Sequence, residues 1–127
     1  MSADLRRDPP APGPIVRGYA RGGFTVDGET HRAVLLTPER AVAWNPPPLA
    51  DLAVAHLEPV LGLEPAPDFL ILGTGSTQAF PPRALVRAFE ERGMGIEAMD
   101  SRAAARTWGI LRAEQRWIAA ALLPLEK

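Results

Sequence analysis

The sequence predicts one layered α/β domain, in which a mixed, mainly parallel central sheet is joined to an antiparallel β meander at its N-terminal side. In the second half of the 127-residue chain, short apolar runs alternate with amphipathic segments, which is the pattern of strands joined by right-handed crossover helices. In the first third, short β-like runs flank an Asp27-Gly28 pair, which is typical of a tight hairpin. The length suits one hydrophobic core and leaves no room for a second domain.

Residues 1–14 are predicted to form a flexible, proline-rich leader ahead of a single domain over residues 15–124. Proline holds a chain extended and removes a backbone donor, and the segment lacks the apolar stretch of a signal peptide. Its prolines are Pro9, Pro10, Pro12 and Pro14.

The meander follows the leader. Residues 24–26 and 29–36 lie on either side of the hairpin turn, and residues 37–40 make a second turn into a strand at 41–44. Consecutive prolines at 46–48 end that strand, because they cannot continue a hydrogen-bonded ladder.

A short helix is predicted within residues 49–62, where the apolar spacing is helical but Pro59 interrupts it. Beyond it, the runs 69–72 and 117–123 are continuously apolar, as expected for strands covered on both faces. The second of these runs is predicted to be a central strand of the sheet.

The connecting segments carry helix signals. Residues 82–92 place Leu85, Val86 and Phe89 on one face and end near Gly93. A short strand at 96–99 follows, and Asp100 or Ser101 then caps a second helix. The three tryptophans of the chain are predicted to be core residues rather than stacking platforms: Trp44, Trp108 and Trp117.

Composition excludes several classes of function. The formal net charge of -1 and pI near 6.1 give no electrostatic footprint for nucleic acid or an anionic membrane surface. The absence of cysteine excludes disulfides and thiolate chemistry. The longest strongly apolar run, 117–123, is too short for direct membrane insertion. We therefore expect a cytoplasmic protein.

Several segments together resemble one known family, the Mth-domain family of unknown function. The resemblance covers about residues 15–124 and is carried by residues 69–75, 95–101 and 104–108, with Phe24, Gly28 and Trp44 in the meander. Members include bacterial and archaeal proteins without an assigned activity, an adipogenesis-associated animal protein and a mitochondrial complex I assembly factor. The resemblance implies a layered α/β fold with a mixed central sheet and no established reaction. Gly109 stands where many members carry Asn.

The loop after the first buried strand is the best candidate for a binding crevice, because open α/β sheets bind ligands beyond the carboxyl ends of their strands. It contains Gly73, Thr74, Gly75, Ser76 and Thr77. A dinucleotide fingerprint is not met, since the third glycine is missing and the next helix starts too late. Two interpretations stay open: the glycines allow close packing in a tight turn, or they let a ligand approach the backbone.

Catalysis has little support from the sequence. Ser76 is not in a nucleophile elbow, because the flanking glycines are absent, and nothing local brings either histidine, His31 or His56, near it. Glu97 and Asp100 are separated by three positions across a strand end, and Asp100 is more simply explained as a helix cap. No metal-ligand spacing is present, and no cofactor is predicted.

Two arginines of the second helix, Arg102 and Arg106, are one helical turn apart and could face an anion near the helix N-terminus. The alternative is that Arg106 pairs internally with Glu97 or Glu114.

We expect the loop at residues 73–76 and the turn at residues 99–101 to lie side by side, at the ends of two neighbouring parallel strands. The first hypothesis is a non-catalytic domain that binds a protein partner, extended by the resemblance to assembly of a respiratory or membrane complex. The alternative is a small-molecule or anion-binding domain. The partner's identity and the oligomeric state are left open. The predicted ligand- or partner-binding residues are Gly73, Thr74, Gly75, Ser76, Glu97, Met99, Asp100, Ser101, Arg106 and Thr107.

Overall fold

The computed structural model describes residues 13–126, so the predicted leader lies almost wholly outside the described residues. Eight strands and three α-helices form this part of the chain. The strands are β1 (Val16–Ala20), β2 (Gly23–Val26), β3 (Glu29–His31), β4 (Val34–Leu36), β5 (Ala41–Ala43), β6 (Phe69–Gly73), β7 (Gly95–Met99) and β8 (Ala119–Leu122). The helices are α1 (Glu58–Leu61), α2 (Arg83–Glu91) and α3 (Ser101–Ala113).

The predicted hairpin is confirmed, and it belongs to a small antiparallel sheet in the order β1-β2-β3. Asp27 and Gly28 both have positive φ angles, 52° and 82°, as a tight two-residue turn between twisted strands requires. The predicted strand at 29–36 is in fact two strands. The break between β3 and β4 transfers the chain from this small sheet to the larger one, so the meander is divided between two sheets.

The larger sheet has the order β5-β4-β8-β6-β7. β8, β6 and β7 pair in parallel, whereas β4 is antiparallel to both β5 and β8. The predicted mixed sheet is confirmed, with its parallel pairings confined to the strands of the second half. The prediction of a central strand within residues 117–123 is also confirmed, because β8 lies between β4 and β6.

One row of paired residues crosses this sheet near one of its edges. Ala43 pairs with Val34, Val34 with Leu122, Leu122 with Gly73, and Gly73 with Met99. Because β4 runs opposite to β8, the start of β4 and the ends of β5, β8, β6 and β7 all lie just beyond this row. The chain segments next to these five residues therefore meet at the same end of the sheet, where the strands begin or terminate.

Successive side chains of each strand point to opposite faces of the larger sheet, and both faces are buried. Ile71 and Ala120 belong to a core shared with α3 and the small sheet, whereas Leu70 and Leu72 belong to a core shared with α2 and residues 49–61. Trp108 fills the first core with no exposed surface, and its Nε1 donates to the carbonyl oxygen of Pro14 over 2.9 Å. This confirms its predicted core role.

The short helix predicted within residues 49–62 is present only as α1, and two 3₁₀ turns, Leu49–Asp51 and Val54–Leu57, precede it. Pro59 lies in the first turn of α1, where its missing donor costs nothing. The indole Nε1 of Trp44 donates to the His56 carbonyl over 2.9 Å, which ties this segment to the end of β5.

An arginine that the sequence did not single out is buried in α3. The Arg112 side chain is 5% exposed, and its Nη1 donates to the carbonyl oxygen of Arg116 over 2.6 Å. Desolvation by burial lowers the pKa of this guanidinium from its ordinary value. Arg112 therefore holds the C-terminal end of α3.

Candidate functional site

The predicted adjacency of the loop after β6 and the turn after β7 is present. The Thr74 amide donates to the Met99 carbonyl over 2.8 Å, and the Ser101 amide donates to the Gly75 carbonyl over 2.8 Å. These two bonds continue the β6–β7 ladder past the last paired residues. The right-handed crossover through α2 explains the arrangement, because it places β7 parallel to and beside β6.

Ser101 fastens this junction from inside the protein. Its side chain has no exposed surface. Its Oγ accepts from the Gly75 amide over 2.9 Å and donates to the Leu123 carbonyl over 2.8 Å. The Leu123 amide in turn donates to the Gly73 carbonyl over 2.9 Å. Ser101, predicted as a binding residue, thus joins the ends of β6, β8 and β7 and offers no group to solvent.

Close packing accounts for Gly73. A Cβ atom built on this residue would lie 2.7 Å from Ser101 Oγ, 2.9 Å from Ser101 Cα and 3.0 Å from Leu122 Cδ2. Of the two interpretations of this glycine, the structure therefore supports close approach of packed elements. Gly75 has a φ of 107°, with the Pro124 carbonyl oxygen 3.2 Å from an added Cβ, so it too meets a backbone requirement.

We expect Gly73→Ala to lower the free energy of unfolding by about 1–3 kcal/mol, since backbone and core atoms must both move to admit the methyl group. Gly95→Ala is the matched control on the neighbouring strand, because a Cβ there meets no atom within 4 Å. Urea denaturation of both variants measures the difference. Equal stability of the two variants would contradict the packing argument.

The loop beyond Gly75 is held by its own polar groups. Thr74 Oγ1 donates to the Thr77 carbonyl over 2.7 Å and accepts from the Ala79 amide over 3.1 Å. Gln78 Nε2 lies 3.5 Å from the carbonyl oxygen of Ala98 on β7. Two residues further on, the Phe80 side chain is 90% exposed. A fixed loop therefore presents an apolar ring to solvent.

The carboxylate pair suggested by the sequence is divided between two roles. Asp100 caps α3, since its Oδ1 accepts from the Ala103 amide over 2.9 Å. Glu97 is exposed on β7. Between them, the sulfur of Met99 accepts from Thr107 Oγ1 over 3.4 Å, so Met99 and Thr107 connect β7 with α3.

The two arginines of α3 differ in their surroundings. The guanidinium of Arg102 lies over the Tyr19 ring, 4.4 Å from its centroid, which is a cation–π contact with the small sheet. Arg106 is exposed. Within residues 13–126 it makes no ion pair with Glu97 or Glu114, so the structure contradicts the internal pairing considered from the sequence.

A cleft of about 650 Å³ opens on the other side of the loop, at the edge where the four strands β5, β4, β8 and β6 meet. Thr74, Gly75, Ser76 and Thr77 line one wall. Arg106 does not line it, and neither do the predicted residues of the β7–α3 turn. The arginine at this cleft is Arg32. The remaining walls are Pro46, Pro47, Pro48, Leu49, Ala79, Leu123, Pro124, Leu125 and Glu126.

The cleft walls outside the Thr74–Thr77 loop were not predicted from the sequence. The pairing of β4 with β8 brings these walls to the cleft. Because Val34 pairs with both Leu122 and Ala43, Arg32 and the proline run after β5 reach the same edge as the loop after β6. No local pattern reveals a pairing between segments so far apart. In the sequence, the prolines at 46–48 indicate only that a strand ends, not that they line a cleft.

The histidines lie in other local networks. His56 Nδ1 accepts from the Ala53 amide over 2.9 Å, and His31 Nε2 lies 3.9 Å from Glu29 Oε1. Ser76 is exposed and has no side-chain hydrogen bond to either within the described part of the chain. Between residues 13 and 126, no three His, Asp or Glu side chains cluster as metal ligands.

β7 is an edge strand of the larger sheet, as β5 is at the opposite side. β7 pairs with β6 on one side, and among the described residues no strand pairs with its other side. The Met99 carbonyl faces β6, since it accepts from Thr74. The Ala98 carbonyl faces away from β6, toward Gln78. Consecutive residues of a strand direct their backbone groups to opposite sides, so Ile96 and Ala98 present theirs at this open edge.

No helix between residues 13 and 126 has the length and apolar character needed to cross a bilayer.

Comparisons with known proteins agree with this architecture. A family described as "Protein of unknown function (DUF498/DUF598)" matches residues 16–123. The NADH dehydrogenase (ubiquinone) 1 alpha subcomplex assembly factor 3 of Danio rerio is 28% identical over 97% of this chain and 71% of its own length. The Bos taurus protein of the same name is 32% identical over 86% of this chain, which spans only 60% of the Bos taurus protein. The solution structure of a Mth938-like domain from Bordetella pertussis has a TM-score of 0.77 and 31% identity, covering 96% of this chain and 92% of that one.

Proposed function

The chain belongs to the DUF498/DUF598 family of proteins of unknown function, and from this premise we propose that it is a non-catalytic protein-binding domain that assists assembly of a respiratory NADH dehydrogenase. The resemblance to Mth domains predicted from the sequence is confirmed. Relatives that cover most of this chain are named assembly factors. An assembly factor must hold a subunit through exposed groups. A cytoplasmic location stays a prediction.

The open edge of β7 is the observation that carries the proposal. The backbone groups of Ile96 and the Ala98 amide are available there for pairing, whereas the Ala98 carbonyl accepts from Gln78. An exposed edge strand is a template for another chain. Phe80 lies on the loop fixed by Thr74, two residues beyond Gln78, whose side chain reaches the Ala98 carbonyl. A large apolar ring that is 90% exposed and held in place loses little conformational freedom on binding, which is the character of an interface anchor.

The partner that fits this surface is an extended segment of an NADH dehydrogenase subunit, added as a sixth strand next to β7. Main-chain hydrogen bonds to the Ile96 backbone and the Ala98 amide would supply affinity, and side chains would supply selectivity. An apolar side chain of the segment would pack on Phe80. The exposed charges of Glu97 and Arg106 would select a segment with complementary charges.

Affinity purification of the tagged chain from its native cells tests the proposal, with NADH dehydrogenase subunits quantified by mass spectrometry. We expect Phe80→Ser and Ala98→Pro each to lower their recovery by about tenfold, the effect of losing about 1.4 kcal/mol at an interface anchor. Ala98→Pro removes a donor at the open edge and leaves the β6–β7 ladder intact. Arg106→Ala should weaken recovery to a smaller extent, with an unchanged melting temperature.

Ile110→Ser provides the matched control, since Ile110 is also apolar and 61% exposed but lies on α3. Its recovery of subunits should equal that of the unmodified chain. An equal loss for Ile110→Ser and Phe80→Ser would contradict a site at the β7 edge. If Phe80→Ser and Ala98→Pro both recover the subunits as well as the unmodified chain does, the β7 edge is not the binding surface. If the unmodified chain recovers no subunits, the proposed assembly role is wrong.

A further inference from the structure

The cleft beside the Gly73–Thr77 loop lies where an α/β sheet binds small ligands. It opens beyond the carboxyl ends of β6 and β8, two adjacent parallel strands, which is the general location of binding crevices in such sheets. β4 is antiparallel to both β8 and β5, so the start of β4 and the end of β5 lie beside them and supply the opposite wall. The cleft volume of about 650 Å³ falls within the range of sites for small molecules.

The walls are formed before any ligand arrives. The Leu123 backbone is bonded on both sides, to Gly73 and to Ser101. Thr74 closes the loop on itself through Thr77. Consecutive prolines at 46–48 stiffen the facing wall. A ligand entering this cleft therefore costs little ordering of the protein.

Most of the lining is apolar. Its solvent-accessible part comes mainly from Leu49 and the prolines at 46–48, since Leu123 and Leu125 are only 4% and 7% exposed. Exposed apolar surface of this kind favours a ligand with a hydrocarbon body. An aliphatic chain of several carbons can lie along these side chains and remove them from water.

The polar groups at the cleft favour a negatively charged head. Arg32 is exposed and makes no ion pair with any residue from 13 to 126. The exposed hydroxyl groups of Ser76 and Thr77 are likewise without hydrogen bonds inside this range. A guanidinium and hydroxyl donors together match a carboxylate.

Glu126 is the opposing charge at the cleft. Its carboxylate is turned toward Gly22, where an added Cβ would lie 2.8 Å from Glu126 Cδ. It lies more than 4.0 Å from the charged nitrogens of Arg32. Glu126 therefore leaves Arg32 available, while its charge weakens the binding of any anion nearby.

We propose that this cleft binds a small carboxylic acid with an aliphatic body, its carboxylate at Arg32, Ser76 and Thr77 and its hydrocarbon chain against Leu49 and the prolines at 46–48. This site is distinct from the β7 edge, so it does not depend on the proposed assembly role.

Titration of the purified chain with octanoate, followed by amide shifts in ¹H–¹⁵N spectra, tests the site. Octanoate should saturate the shifts of Ser76 and Thr77, whereas 1-octanol, which lacks the charge, and acetate, which lacks the hydrocarbon body, should bind at least about tenfold more weakly. Arg32→Gln should weaken octanoate about tenfold, and Arg32→Lys should retain part of the affinity.

Glu126→Gln should change the octanoate affinity in the opposite direction. Binding should tighten by about two- to fivefold, since the substitution removes a negative charge near the bound carboxylate. Opposite effects of Arg32→Gln and Glu126→Gln separate charge recognition from loss of structure. Phe80→Ser should bind octanoate as the unmodified chain does. Absence of saturable shifts at the cleft, equal binding of 1-octanol and octanoate, or an unchanged affinity in Arg32→Gln would each overturn the site, whatever the outcome at the β7 edge.

Discussion

Replacing Ala120 with Asp is expected to lower the free energy of unfolding by about 4–5 kcal/mol, or to prevent folding. Ala120 has no exposed surface and lies in the middle of β8, paired with Leu36 on one side and Ile71 on the other. Its side chain points into the core that contains Trp108. A carboxylate there has neither water nor a cationic partner, so the charged form carries the full desolvation cost.

The pH dependence gives this prediction a signature. Burial raises the pKa of the introduced carboxyl above its unfolded value of about 3.9. The folded state therefore binds more protons than the unfolded state above that value, and the variant loses stability as the pH rises from about 4. The deficit against the unmodified chain should shrink on acidification toward pH 4.

Ala84→Asp is the control, because Ala84 is exposed in the first turn of α2, where a carboxylate is tolerated. Thermal denaturation of both variants between pH 4 and pH 7 makes the comparison. An Ala120→Asp variant as stable as Ala84→Asp at pH 7 would contradict the central position of β8.

Removal of the Ser101 hydroxyl is the second large effect, with an expected cost of about 2–4 kcal/mol. Ser101→Ala leaves two buried groups without partners, the Gly75 amide and the Leu123 carbonyl. Each buried unsatisfied group costs about 1–3 kcal/mol. Equilibrium denaturation measures the loss, and hydrogen exchange at the Gly75 amide should accelerate beyond what global unfolding explains.

Ser76→Ala removes a hydroxyl from the same loop, but this side chain is exposed and makes no bond in the described part of the chain. Its stability should change by no more than about 0.5 kcal/mol. Slow exchange of the Gly75 amide in Ser101→Ala, together with unchanged stability, would rule out the fastening role of Ser101.

Local patterns were enough to predict the elements of the second half. The predicted helix at 82–92 agrees with α2, since helical spacing and Gly93 are both visible in adjacent residues. The strand at 96–99 and the Asp100 cap followed from the same kind of signal. Their adjacency to the loop after β6 followed from the handedness of the crossover, which is a general rule rather than a property of these residues.

Long-range pairing set the limit of prediction. The chain passes from the small sheet to the larger one between His31 and Val34, and this step depends on the partner strand β8. Without that pairing, Arg32 and the prolines after β5 could not be placed at the cleft, and Arg106 was assigned in place of Arg32. Gly73 was left between two interpretations, because only the position of Ser101 shows what an extra methyl group would meet.

The central position of β8 also constrains how the chain can fold during synthesis. β4 and β6 never pair with each other, because β8 inserts between them. Until residues 119–122 have left the ribosome, both strands expose apolar side chains and unpaired backbone edges. The larger sheet therefore forms only after its last strand has been translated. To avoid aggregation, the nascent chain must reach that point before its exposed strands associate with other unfolded chains.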